Sequence, residues 1–318
     1  MGSVLARAIY IANLVAQCLI VVTGAVVRLT ASGLGCPTWP QCVPGSFTPV
    51  AHQAQAWHKD VEFGNRLLTF ALVILAVAAV AIALVDAVRA RRNQRAVRRD
   101  IVALAFIPIL GTVAQAVLGG ITVLTGLNPL TVGAHLLVSM AIIAGTVALV
   151  ARASSPVPRA PIVPGAIRAL AWALLIDAAA VVSVGVIVTG SGPHAGDAAS
   201  SRLSLDTRMV AWFHADLVLL LLGLTVGLLV ALVVTHGPRS ARRRVLAVLL
   251  IALAQGALGY TQYFLGVPEL LVALHVTGAV LLWVCVVSVI PALSAGPKGR
   301  VSAGMDRSPR AETAAPGR

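Results

Sequence analysis

Residues 210–234 read VAWFHADLVLLLLGLTVGLLVALVV. At about 1.5 Å per residue this run is long enough, as a helix, to cross the roughly 30 Å of hydrocarbon in a bilayer. Its single formal charge is Asp216, two residues after His214, and both lie near one end. Seven more segments have the same character: Ile9–Leu29, Arg66–Val85, Ile101–Leu124, Val132–Ala151, Ile167–Thr189, Val245–Leu265 and Leu270–Leu293. The third carries Pro108 and the pair Gly119-Gly120, which a packed membrane helix tolerates. Eight spans predict an all-α integral membrane protein.

Composition agrees. Of 318 residues, 58% are hydrophobic and 11% charged, against about 25% charged in a soluble domain. The net charge of +13 raises the question of nucleic acid. The arginines, however, sit in clusters between apolar runs, as in loops facing an anionic leaflet. Lipid is therefore the expected surrounding partner, and nucleic acid is not. Ile9–Leu29 is a full-length span followed by others, so no cleavable leader is expected. Of four cysteines, Cys18 and Cys285 lie within apolar runs and are expected to be buried thiols, while Cys36 and Cys42 share a loop.

Arginine placement sets the expected orientation. Arg89, Arg91, Arg92, Arg95, Arg98 and Arg99 crowd one connection; Arg152, Arg159 and Arg168 flank another; Arg239, Arg242, Arg243 and Arg244 follow span six. The opposite connections are poor in positive charge. Both termini are thus expected to be cytoplasmic.

An internal repeat organises the spans. Ala114-Gln115-Ala116-Val117-Leu118-Gly119-Gly120 in span three is echoed by Ala254-Gln255-Gly256-Ala257-Leu258-Gly259-Tyr260 in span seven. Histidine follows each glutamine at the same distance, His135 after Gln115 and His275 after Gln255. Val22-Thr23-Gly24 matches Val188-Thr189-Gly190. Two parallel four-helix-bundle repeats follow, because an even number of spans per copy preserves orientation. The expected divisions are 1–152, with an outer cysteine loop at 30–61; a linker at 153–165; a second repeat at 166–294; and a disordered tail at 295–318.

Histidine is costly in hydrocarbon and usually functional there. His135, His214 and His275 fall near the outer ends of spans four, six and eight. In the second copy, His214 and His275 at similar depth suit a low-spin haem iron held in a bundle; interfacial histidines satisfied by carbonyls or headgroups are the plainer alternative. In the first copy the position matching His214 is Asn65, a poor iron ligand. His135 would then anchor an iron with one exchangeable face, with His58 as a weaker substitute ligand. Glu62 stands one turn before Asn65 on the same helix face, placed either to relay protons or to pair with Arg66. Arg28 and Arg66 run against the positive-inside bias, as partners for anionic propionates or as snorkelling side chains. Cys36 and Cys42, with Pro37 and Pro40 between them, can close a small disulfide on an oxidising face. A loop staple is favoured over thiol exchange.

The run Ser32-Gly33-Leu34-Gly35-Cys36-Pro37 with Trp39-Pro40 and Cys42, the motif Glu62-Phe63-Gly64-Asn65-Arg66, and the glutamine–histidine pattern together resemble the haem A synthase family of bacteria and mitochondria, in an actinobacterial-type form. The resemblance covers Ile9 to Leu293. It implies oxidation of the C8 methyl group of haem O to a formyl group by successive hydroxylations, yielding haem A for aa3-type cytochrome c oxidase. It also implies a b-type haem (protohaem IX) held by His214 and His275, a substrate-haem half containing His135, Glu62 as the catalytic carboxylate, and a Cys36–Cys42 disulfide. Haem O would come from a haem O synthase, and electrons from a quinol or thiol system. Many members carry histidine where this chain has Asn65, so here His135 alone is expected to hold the substrate iron, with Asn65 hydrogen-bonded to water or oxygen opposite. Two other functions compete. An electron-transfer cytochrome b subunit would need paired histidines in both halves, and a non-catalytic haem-delivery or oxidase-assembly protein would not need Glu62.

Overall fold

The computed structural model describes residues 2–155 and 160–295. The expected tail beyond residue 295, and Arg159 of the linker, lie outside the described residues. Most of the described residues lie in eight helices: α1 Gly2–Leu29, α2 His58–Arg92, α3 Arg99–Leu124, α4 Pro129–Ala153, α5 Gly165–Ser191, α6 Thr207–Val234, α7 Arg239–Phe264 and α8 Glu269–Ala292. All eight are long and apolar enough to cross a membrane. Several outrun their apolar segments. Helix α2 begins at His58, before the apolar run that starts at Arg66, because its polar first turns find partners in the preceding loop. Two short antiparallel strands, β1 (Ala160–Pro161) and β2 (Ser294–Ala295), tie the connection after α4 to the end of α8.

Within the first four helices, α1 packs on α2 and α4, and α3 packs on the same two. Helices α5 to α8 repeat that scheme: α5 and α7 each pack on α6 and α8. The two groups meet through α4 and α8, α1 and α8, and α4 and α5.

Lipid removes the usual reason for large residues to face inward, so close approach of backbones does more of the holding. Helix α2 buries Leu72, Ala76, Ala79 and Ala83 and turns Phe70, Ile74, Val77 and Leu84 outward. Between α3 and α4 the fit is reciprocal. Ile142 lies over Gly111, where a Cβ would fall 2.5 Å from it, and Ile107 lies over Gly145, where the distance would be 2.8 Å. Buried Trp283 of α8 donates its indole N–H to the Met140 carbonyl of α4 at 2.8 Å, joining the two groups. Asn128 and Asp206 cap α4 and α6, their side chains accepting from the amides of Leu130 and of Arg208 and Met209 respectively.

Candidate functional site

The three intramembrane histidines are seated alike. Each leans on a glycine of the helix preceding its own. A Cβ added to Gly119 of α3 would lie 3.3 Å from Cε1 of His135 on α4; the distances are 3.1 Å from Gly185 of α5 to His214 on α6, and 3.5 Å from Gly259 of α7 to His275 on α8. The glycines let the helices close on the imidazoles and fix their orientation. In all three rings Nδ1 is enclosed without a direct hydrogen bond; the His214 ring also interacts with the Val181 backbone. A clamped imidazole presents a ring nitrogen in a set direction, which suits axial ligation of a haem iron. His214 and His275 stand on α6 and α8, two helices that both border α5 and α7.

The glutamine pattern has a structural meaning. Gln115 donates to the His135 carbonyl at 2.8 Å and also reaches the Ser139 hydroxyl, so it fixes the α4 backbone at the histidine. Gln255 lays its amide against Gly278, one turn past His275 on α8.

Asn65 sits on α2 in the first group, where His135 is on α4. Thr23 of α1 donates to Asn65 Oδ1 at 2.8 Å, which leaves the amide NH2 as the free end. One turn earlier, both oxygens of Glu62 are engaged. The Cys36 amide donates to Oε2 at 2.6 Å, and Arg66 donates to Oε1 through Nε at 3.0 Å and Nη2 at 2.6 Å. Arg66 also donates to the carbonyls of Cys36, Thr38 and Gln41. Of the two sequence-level roles for this pair, the structure displays mutual pairing beneath the cysteine loop.

Cys36 and Cys42 form a disulfide and are both fully buried. Gly35 lies so close to the His58 carbonyl that no Cβ fits there, and the Gln53 amide holds the Gly35 carbonyl. The Trp39 indole rests on Gly120, where a Cβ would fall 2.5 Å from the ring. The adjacent glycines of α3 thus do different work: Gly119 seats His135 and Gly120 seats the loop. His58 starts α2, bonded through Nδ1 to the Ser32 hydroxyl at 3.0 Å and stacked on Trp57. Arg28, expected among the pocket residues, reaches the other group of helices, donating to the carbonyls of His194 at 2.6 Å and Thr189 at 2.9 Å. The Gly33 amide follows it to the Gly196 carbonyl at 3.0 Å. Thr23, Gly185, Trp39 and Gln53 were not singled out in the sequence. Thr23 left a trace there in its match with Thr189, and Trp39 in the cysteine-loop run.

Comparison with known proteins gives these positions a context. Residues 7–287 match the family described as cytochrome oxidase assembly protein, COX15-CtaA. Heme A synthase of Geobacillus thermodenitrificans is 36% identical over 110 residues, which are 35% of this chain and 31% of that protein. Heme A synthase of Geobacillus kaustophilus (strain HTA426) is 36% identical over 117 residues, 37% of this chain and 33% of that one. The matched stretches span about a third of the length of these curated relatives. The family match, by contrast, runs through all eight helices, and on that ground the chain belongs to the COX15-CtaA cytochrome oxidase assembly protein family.

Proposed function

We propose that this protein is a haem A synthase that oxidises the C8 methyl group of haem O to a formyl group by successive hydroxylations. The observation that carries this reading is the inequality of two similar sites. The second group carries two histidines, His214 on α6 and His275 on α8, each seated on a glycine, whereas on the corresponding helices of the first group His135 of α4 is matched by Asn65 of α2, which is tethered by Thr23. A site with two imidazoles suits electron transfer. A site with one imidazole and one amide leaves a face for oxygen chemistry. We read helices α1–α4 and α5–α8 accordingly as two parallel four-helix repeats, the first holding substrate and the second a resident b-type haem.

Haem iron supplies electron transfer in the second repeat, and the substrate's own iron lies in the first. His135 anchors the substrate, its ring plane set by Gly119 and its backbone by Gln115. Asn65 offers an N–H across from it. Glu62, one turn away, is the carboxylate that exchanges a proton at the outer end of α2, and Arg66 and the Cys36 amide keep it in place. The stapled loop closes this end against bulk water, with the disulfide as brace. We assign both termini to the cytoplasmic side of a bacterial plasma membrane, in an actinobacterial-type member. Haem O would arrive from a haem O synthase, electrons from a quinol or thiol system, and the product would go to an aa3-type cytochrome c oxidase.

The test is mass analysis of haems from membranes of a host that makes haem O but lacks its own haem A synthase. Haem A or its hydroxymethyl precursor, appearing only with this chain, supports the proposal. Unchanged haem O beside a folded protein loaded with b-type haem, where a working homologue does convert it, would overturn it.

A further inference from the structure

In the first group of helices a line of buried polar side chains leads to Gln115 of the His135 seat, and the histidine sites use none of the others. On α1, Tyr10, Asn13 and Gln17 fall on one face by their spacing and are 2%, 0% and 5% exposed. Gln17 donates to Thr112 of α3 at 3.4 Å, and Thr112 is 4% exposed. One turn further along α3 is Gln115, whose amide reaches the His135 carbonyl and Ser139. At the other end, Tyr10 opens on a cavity of about 160 Å³ lined also by Arg7, Asp86 and Arg98, at the arginine-rich end of the helices.

Polar atoms are rarely enclosed in protein without a partner, and water usually satisfies those that are. Both amide atoms of Asn13, and Oε1 of Gln115, are enclosed with no protein partner. Asn13 is wholly buried at mid-helix, where such a group is costly. The other half makes the contrast. Aligned through Thr23 and Thr189, the counterparts of Tyr10, Asn13 and Gln17 are Ile176, Ala179 and Ser183; aligned through Gln115 and Gln255, that of Thr112 is Ala252. Ser183 turns its hydroxyl back onto its own helix, to the Ala179 carbonyl. At these four positions the second half keeps the fold without the polarity, although Gln255 stands at the place of Gln115 and α5 buries Asp177 one residue from Ile176; packing therefore does not require Tyr10, Asn13, Gln17 and Thr112 to be polar.

We infer that Tyr10, Asn13, Gln17, Thr112 and Gln115 line a hydrated file that carries protons from the arginine-rich end of the helices to the His135 pocket. A proton entering from bulk water beside Asp86 and Arg98 is matched by one leaving the last water at the pocket, and the waters reset by turning. No bond to carbon or iron is made or broken. Only the use of these protons rests on the proposed function, since oxygen chemistry at the pocket consumes protons; the file itself does not.

Asn13→Asp places an infrared-visible carboxyl in the file. The full chain is reconstituted in lipid vesicles with the arginine-rich face accessible, and the carboxyl band is followed as pH changes on one side at a time. The expected result is titration with pH at the arginine-rich face and none with pH at the opposite face, while Ala179→Asp in the second half stays protonated throughout. A silent Asn13→Asp band, or one that follows the opposite face, overturns the file. Should the variant fail to assemble, deuterium exchange of the native Asn13 side-chain amide, read by NMR in asparagine-labelled protein, decides instead: rapid exchange from the arginine-rich side supports the file and protection overturns it. These readouts need no haem A formation. A working file in a protein that makes no haem A would therefore refute the proposed function alone, and a dry interior in an active enzyme would refute the file alone.

Discussion

The backbone amide of Cys36 donates to Glu62 Oε2 at 2.6 Å, while the Cys36 carbonyl accepts from Arg66 at 2.9 Å. One peptide segment of the disulfide loop is therefore held by both members of an ion pair one turn apart on α2. The carboxylate and the loop are mechanically a single object, and perturbing either should disturb the other. Glu62→Gln removes the charge from these bonds and is expected to cost about 1.5–3 kcal/mol, as for hydrogen bonds to ionised groups. Replacing both Cys36 and Cys42 by serine loosens the same segment. In a double-mutant cycle on thermal unfolding the two changes should couple by about 0.5–3 kcal/mol. Simple additivity would show that the carboxylate is held independently of the loop.

The histidine seats predict different spectra for equivalent substitutions. His214→Ala or His275→Ala should abolish the low-spin optical and paramagnetic signals of a bis-imidazole haem. His135→Ala should leave those signals intact while stopping conversion of haem O. Loss of the low-spin signal in His135→Ala would instead place the resident haem in the first half.

The glycines should sort by what they face. A Cβ at Gly120 meets the Trp39 indole at 2.5 Å, so Gly120→Ala is expected to lift the loop from α3 and cost about 1–3 kcal/mol by overpacking. At Gly24 of α1 a Cβ meets nothing within 4 Å, so Gly24→Ala should be neutral or should stabilise by up to about 1 kcal/mol through helix propensity. Thermal unfolding separates the two, and the rate at which a reductant opens the Cys36–Cys42 bond reports the loop itself. Equal reduction rates in Gly120→Ala and the parent would show that Trp39 does not brace it.

How much of this was legible beforehand depended on the range of each interaction. The spans were legible because hydrocarbon imposes length and apolarity on contiguous residues. Gln115, His135, Gln255 and His275 were legible because a polar residue within such a run is rare, and the equal spacing repeats that rarity. The helix start at His58 was not, since hydropathy marks where lipid begins and not where hydrogen bonding does. Nor was the course of Arg28, whose two acceptors lie far along the chain in the second group of helices. The seats at Gly119, Gly185 and Gly259 fall between these cases. Glycine is common in packed spans, and only the contact with a particular ring sets these three apart.

That contact gives the last prediction. In the register of the Thr23–Thr189 match, the α1 residue corresponding to Gly185 is Leu19. Where α6 carries a histidine, α5 carries the glycine that admits its ring; where α2 carries Asn65, α1 carries leucine one turn before the Thr23 that binds it. In this register asparagine and leucine stand where the second group has histidine and glycine, and replacing Asn65 alone should leave an imidazole without a glycine seat. Asn65→His is expected to give little or no second low-spin haem signal. Adding Leu19→Gly should make room for the ring, at a helix cost of about 1 kcal/mol, and bring that signal up while haem O conversion falls, because the face that the proposed function leaves for oxygen would then be ligated. A full second low-spin signal in Asn65→His alone would show that Leu19 does not govern the seat. The same signal already present in the parent would show that the substrate iron takes a second protein ligand without any histidine at position 65.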